Sequence, residues 1–412
     1  MCLTRLESVD ERLHSFITVN GPRARDAAAT ADREIRAGLY RGPLHGIPYA
    51  VKDVIATKGL RTTAGSKILA DHVPDTDSAV VERLDDAGAI LLGKTHTYEF
   101  ACGPQGGHPS VPQARNPWDL SRIPGGSSSG SASATAAGLC PIAIGTCTGG
   151  SIRLPAALCG VVGLKPTYGR VSRYGVIPLS WSLDHVGPLG RTVADCAAAL
   201  AAIAGPDVRD PTTSTLPVPN YLAALGGDVR GLRLGVVEEM WTDPIEPDVR
   251  RLAQAAVSEL AGLGLEVETV SLPLASDAVP AVAVIMASES AQYHSDWLRT
   301  RAKDYGPGLA ARLMSGLTLT APDLELAHRV RRLAIQQFQA AMRDFDLLVS
   351  PTAPITAPPF GGDTVTVDGV TLEWRAIMSR FTRIFNLVGM PSLSLPCGFA
   401  ANGMPVGLQL AA

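Results

Sequence analysis

Two stretches of this 412-residue chain repeat one strand-helix-strand rhythm, and nothing else in the sequence limits the fold as much. In the first, Ile47-Pro-Tyr-Ala-Val51 reads as a short buried strand ending in Lys52-Asp53. Thr76, Asp77 and Ser78 then offer N-caps for a helix through Asp86, and Ala89-Ile-Leu-Leu92 follows as a strand. In the second, the strand Leu232 to Val237 leads to a helix with Val249, Leu252, Ala253, Ala256, Leu260 and Leu263 on one face. The strand Leu265 to Val270 completes the unit. Strands joined through a helix pair in parallel, so the chain is expected to be an α/β protein with a mainly parallel sheet.

Around these units, Leu3, Leu6, Val9, Leu13 and Phe16 share a face and predict a helix over residues 3–17, and residues 307–345 read as charged helices. Pro206 to Pro219 and Pro351 to Pro359 read as loops inside one compact unit. Residues 121–170 differ in kind: they are dense in Gly, Ser and Ala, as expected of backbone packed closely around a site. With 46% hydrophobic and 18% charged residues the chain can bury a large core. A net charge of -3 without runs of one sign provides no footprint for nucleic acid or an anionic membrane. The longest strongly apolar segment, Ala278 to Ala287, contains Pro280 and falls short of the roughly 20 residues needed to span a bilayer. Residues 1–20 mix apolar and charged positions, unlike a signal peptide. Seven scattered cysteines without a CxxC pair fit a reducing cytoplasm.

Ser151 follows Gly149-Gly150, and such small residues let consecutive N–H groups of Thr148, Gly149, Gly150 and Ser151 converge on one point, as an oxyanion hole requires. A serine beside such donors suits acyl transfer; a structural turn with a serine cap has the same spacing, and both readings stay open. A serine nucleophile needs a base. Among the histidines, His185 follows Asp184 directly, and a neighbour in sequence is poorly placed to orient the ring, so a structural role is expected there. His96 and Glu99 share a helical face but have no further ligands nearby, and no metal is expected. Lys52 ends an apolar run where charge is normally avoided. Desolvation makes such a lysine a usable base near neutral pH, although a lysine snorkelling from a strand end fits the same pattern. Gly126-Ser-Ser-Ser-Gly130 formally matches GxSxG with Ser128 as nucleophile, but no apolar strand precedes it, as an α/β-hydrolase elbow requires.

Taken together, Gly46-Ile-Pro-Tyr-Ala-Val-Lys-Asp53, Arg115-Asn-Pro-Trp118, Pro124-Gly-Gly-Ser-Ser128, Gly149-Gly-Ser-Ile-Arg153, Gly160-Val-Val-Gly-Leu-Lys-Pro-Thr167 and Asn386-Leu-Val-Gly-Met-Pro391 resemble the amidase signature family along nearly the whole chain. The resemblance implies a single domain over 1–412, with a central mixed, mainly parallel sheet covered by helices on both faces. It also implies a Ser-cisSer-Lys triad: Ser151 as nucleophile, Ser127 as bridging serine after a cis peptide bond, and Lys52 as base. The oxyanion hole falls on the backbone N–H groups of Thr148, Gly149, Gly150 and Ser151. Cys102, Gly103, Ser128 and Arg153 are expected on the substrate side. No cofactor and no metal are implied.

The chain departs from the family in having Cys147 where aspartate is usual and Ser129 where glycine is usual. An aspartate would pair with Arg153, so Cys147 leaves that arginine in need of a partner. Both ends stop close to family motifs, the later one Gly403-Met-Pro-Val-Gly-Leu-Gln-Leu410, and are shorter than is usual.

The expected function is a stand-alone cytoplasmic amidohydrolase acting on a small carboxamide or anilide, with ester or carbamate cleavage open because the acyl-transfer machinery is shared. No nucleic acid or membrane partner is expected, and a homodimer stays open. The alternative is the glutaminase-type A subunit of a tRNA-dependent amidotransferase, which Gly163 to Gly175 resembles, although an SRFDG-like motif is missing. A carbamate hydrolase and a non-catalytic relative are further alternatives.

Overall fold

The computed structural model describes residues 1–102, 108–242 and 244–412. In chain order its strands are β1 (Phe16–Val19), β2 (Pro48–Lys52), β3 (Ile90–Thr95), β4 (Ile142–Cys147), β5 (Val162–Lys165), β6 (His185–Gly190) and β7 (Arg233–Val237). They continue with β8 (Glu266–Val270), β9 (Leu347–Pro351), β10 (Thr364–Val367), β11 (Val370–Glu373), β12 (Ser392–Phe399) and β13 (Pro405–Ala411). All but the small hairpin β10-β11 join one 11-stranded sheet, in the order β1-β3-β2-β4-β6-β5-β12-β13-β9-β7-β8.

The sheet is mixed, with helices on both faces. Its parallel blocks, β3-β2-β4 and β9-β7-β8, contain the two stretches where the strand-helix-strand rhythm is legible. Between them β6, β5, β12 and β13 pair antiparallel, because β12 and β13 form a hairpin and β6 enters through a long loop rather than a crossover helix.

Both faces are apolar because successive side chains of a strand point to opposite sides. Tyr49, Val51, Leu91 and Ile144 cluster with Val80 and Leu84 of the helix Ala79–Asp86 and with Ala199 of the helix Val193–Ile203. Their neighbours Ala50, Ile90, Leu92 and Ala143 pack on the other face with Leu13 and Ala134. At the far end Leu234, Val349 and Leu408 meet Ala253 of the helix Pro247–Gly262, while Val237 and Leu348 meet Val282 and Phe338 opposite.

Two local expectations change, and a third is met. The first helix stops at Leu13, where His14 adopts φ 51° and the Asp10 carboxylate accepts the N–H groups of Ser15 and Phe16, so Phe16 begins β1 instead. Residues 307–345 are helical as expected, in the two helices Leu309–Gly316 and Ala321–Ala341. The apolar segment around Ala278 belongs to a 20-residue helix, Leu274–Tyr293, that carries Pro280 inside it and is long and apolar enough to cross a membrane. Its Ala278, Val282 and Ile285 face is packed in the core, which accounts for its composition without a bilayer.

Candidate active site

β2 and β4 run parallel with Val51 beside Ile144, so both end on one side of the sheet, where open α/β sheets gather their functional loops. Lys52 is the last residue of β2 and is fully buried. Its Nζ donates to Ser127 Oγ at 2.7 Å and to Thr146 Oγ1, near the end of β4, at 2.8 Å. Loss of hydration lowers its pKa from 10.5 to about 7, while the Cys147 and Asp184 side chains pull the other way. This is a buried lysine held by two hydroxyls, not a snorkelling one.

Ser127 follows a cis peptide bond from Gly126, and its carbonyl accepts the Tyr98 N–H at 3.2 Å. Glycine is needed at 126 because a Cβ there would lie 2.3 Å from Tyr98 Cζ. The next serine turns away: Ser128 Oγ donates to the Thr146 carbonyl at 3.2 Å and accepts its N–H at 3.3 Å. Ser128 thus ties the loop to β4.

After β4 the chain turns through 148–152 into the helix Arg153–Cys159. Gly150 sits at φ 136°, and a Cβ there would meet Thr382 Oγ1 at 2.2 Å. Thr382 Oγ1 holds the Gly149 carbonyl at 2.7 Å, and Asp184 Oδ1 accepts from Thr148 Oγ1 at 2.5 Å. The other Asp184 oxygen accepts the N–H groups of Leu179 and Ser180. The turn is therefore braced from two sides. Among the described residues no hydrogen bond engages the N–H groups of Thr148, Gly149, Gly150 or Ser151.

Ser127, Thr148, Gly149 and Ser151 line one cavity of about 900 Å³, counting its open mouth. Cys102, Val282, Met286, Trp374 and Met378 supply much of its apolar wall, and Arg312, Arg375 and Arg383 also line it. Ser151 meets Ser128 through the backbone, its carbonyl accepting the Ser128 N–H at 3.3 Å. Among the described residues no hydrogen bond joins the Ser127 and Ser151 hydroxyls, so Lys52 and Ser127 are bonded while Ser151 shares their cavity.

Of the residues expected on the substrate side, Ser128 and Arg153 are buried in hydrogen bonds of their own, Cys102 lines the cavity, and Gly103 lies outside the described residues. Ser128 is buried in its bonds to β4. Arg153 is also fully buried: Nη1 donates to Gln409 Oε1 at 2.6 Å, and Nη2 to Asn386 Oδ1 at 2.5 Å and to the Thr382 carbonyl at 3.0 Å. Those groups hold its Nη1 and Nη2 in the absence of aspartate, inside the core. Cys102 does line the cavity, and its carbonyl accepts from Arg312 Nη1 at 3.1 Å.

Cys147 Sγ lies 3.6 Å from Arg153 Nη2. Burial pushes its thiol pKa up, but Arg153, the Ile152 N–H and Lys165 outweigh burial, and the net shift is downward. Ser129 takes up a role glycine could not fill, its Oγ lying 2.8 Å from His96 Nδ1. Glu99 instead accepts from Ser66 and from the Gly306 N–H, so His96 and Glu99 do not converge. His185 Nδ1 is 2.7 Å from the Leu183 carbonyl, a structural role. The roles of Thr146, Asp184, Asn386 and Gln409 are not legible in the sequence. Asn386 and Gln409 lie in family motifs, Asp184 stands beside His185, and Thr146 stands next to Cys147 in the glycine-rich turn.

A family model described as Amidase matches residues 1–412. The A subunit of glutamyl-tRNA(Gln) amidotransferase from Roseiflexus sp. (strain RS-1) is 43% identical over 431 aligned residues, covering 99% of this chain and 87% of that protein. Its counterpart from Geobacillus kaustophilus is 41% identical, covering 98% and 87%. A solved structure described as "An unexpected vestigial protein complex reveals the evolutionary origins of an s-triazine catabolic enzyme" superposes with a TM-score of 0.95 at 37% identity, covering 100% of this chain and 90% of the other. The native peptide amidase of Stenotrophomonas maltophilia superposes with a TM-score of 0.84 at 36% identity, covering 100% and 88%.

Proposed function

The chain belongs to the amidase family of amide C–N hydrolases, and from that premise we propose that it is a stand-alone amidohydrolase forming an acyl-enzyme on Ser151. The observation that carries the reading is the 2.7 Å contact between Ser127 Oγ and a buried Lys52 whose pKa is brought to about 7. An uncharged Nζ has a lone pair free for the Ser127 proton and keeps an N–H for Thr146. Ser127 then accepts the proton of Ser151 as Ser151 Oγ attacks the carbonyl carbon. The N–H groups of residues 148–151 receive the developing oxyanion. Collapse breaks the C–N bond, and the relay run backwards protonates the departing amine. Water enters by the same route and releases the acid.

The relatives favour a second reading, the glutaminase-type A subunit of a tRNA-dependent amidotransferase. A panel of aryl amides, primary amides, a carbamate and glutamine, run on wild type and Ser151→Ala, separates the cases. Turnover of simple amides by the chain alone supports the stand-alone enzyme, and turnover restricted to glutamine supports the second reading. Carbamate cleavage alone would make it a carbamate hydrolase. Activity surviving in Ser151→Ala would sink the acyl-enzyme.

A further inference from the structure

Among the described residues, two of the three arginines lining the cavity have no carboxylate to neutralise them. Arg375 is paired, with Nη1 3.1 Å from Asp363 Oδ1. Arg383 donates only to the Val279 carbonyl, at 3.4 Å, and Arg312 only to the Cys102 carbonyl, at 3.1 Å. Burial and the nearby Arg312 lower the Arg383 pKa to about 10, so the guanidinium remains charged at neutral pH while its surroundings resist that charge. A half-buried cation beside a second cation, in a wall to which Val282, Met286 and Met378 contribute apolar surface, suits an anion.

Its position relative to the chemistry follows from the turn. The Arg383 side chain lies along Gly149: a Cβ on that glycine would stand 3.4 Å from Arg383 Cγ and 3.9 Å from Nε. Ser151 is two positions on from Gly149, a span of at most about 7 Å between their Cα atoms. An anion on Arg383 thus sits a few bonds from a carbonyl carbon held at Ser151. The flat fork of guanidinium donors matches a carboxylate.

We infer that the cavity selects small amides that carry a carboxylate a few bonds from the reacting carbonyl, with Arg383 binding that carboxylate and Arg312 reinforcing it. This rests on the hydrolase reading for its chemistry, but the anion site can be tested apart from turnover. The first measurement compares kcat/KM for succinic acid monoamide and for neutral butanamide. Wild type should prefer the charged amide by about 10- to 100-fold, the range of a charge-assisted contact. Arg383→Gln should remove most of that preference, chiefly through KM, Arg383→Lys should keep part of it, and Arg312→Gln should reduce it less.

The second measurement titrates succinic acid monoamide calorimetrically into Ser151→Ala and into Ser151→Ala/Arg383→Gln. Binding should weaken by about tenfold or more in the double variant. Binding that depends on Arg383, together with no turnover of either amide by wild type, would uphold the anion site and remove the hydrolase reading. Equal turnover of both amides by wild type, or a preference unchanged in Arg383→Gln, would uphold the hydrolase and overturn the anion site. A parallel loss on both amides would assign Arg383 to the oxyanion and also overturn it, as would absence of binding to Ser151→Ala.

Discussion

Lys52→Met is expected to abolish turnover and at the same time stabilise the fold. In the folded chain the Lys52 ammonium has lost its water, and its pKa falls from 10.5 to about 7. Such a fall corresponds to roughly 5 kcal/mol, borne by the folded state in full wherever both states carry the proton, below about pH 7. Between about pH 7 and 10.5 the unfolded chain holds one more proton than the folded one, so wild-type stability rises with pH and the penalty fades. Methionine occupies a similar volume without charge. Ser127 Oγ and Thr146 Oγ1 then lose donors at 2.7 and 2.8 Å, at about 1 to 2 kcal/mol each. The variant should therefore be more stable than wild type by about 2 kcal/mol near pH 6, and this advantage should shrink by about 3 kcal/mol by pH 9. Urea denaturation of both proteins at the two pH values reads the difference. A variant less stable near pH 6, or an advantage that does not change with pH, would refute the account of Lys52 as a desolvated amine.

For wild type, kcat/KM on an amide should rise about tenfold per pH unit below about pH 7 and level off above it, because only the uncharged lysine accepts the serine proton. A flat profile over that acidic range would remove Lys52 as the base. Cys147→Ser should keep turnover within about threefold, since Arg153 retains Gln409, Asn386 and the Thr382 carbonyl. Complete loss of turnover in a folded Cys147→Ser protein would show that the sulfur takes part. Asn386→Ala removes the 2.5 Å acceptor of Arg153 and the donor to the Cys147 carbonyl at 2.8 Å. It should cost about 3 to 5 kcal/mol in urea denaturation, as for a buried charge left short of a partner, and a cost below about 1 kcal/mol would contradict that role.

The parts of this protein legible in its sequence are those governed by neighbours along the chain. Apolar periodicity marked both strand-helix-strand units, and of the candidate caps Thr76, Asp77 and Ser78 it is Ser78 that caps the helix. A lysine closing an apolar strand pointed to Lys52 because charge is out of place there. The glycines before Ser151 marked it as a candidate nucleophile, family motifs pointed to Ser127, and the cis bond before Ser127 is present. The first helix ran too long on paper because the Asp10 carboxylate that helps to close it acts through contacts periodicity does not register.

What only the tertiary structure decided is how buried charges find partners. Arg153 looked like a substrate contact beside a catalytic turn, yet its acceptors Gln409 and Asn386 lie 256 and 233 residues away. Ser128 stands next to Ser127, but pairing with Thr146 turns it into a brace. Nothing in the sequence sets Arg383 and Arg312 apart from the chain's other cations, since a missing counter-ion is visible only once every nearby carboxylate has been placed. Secondary structure is written in intervals of two to four residues, which a sequence displays directly. The compensation of charge out of water depends on distances of a few ångströms between segments far apart in the chain, and only the folded arrangement sets those.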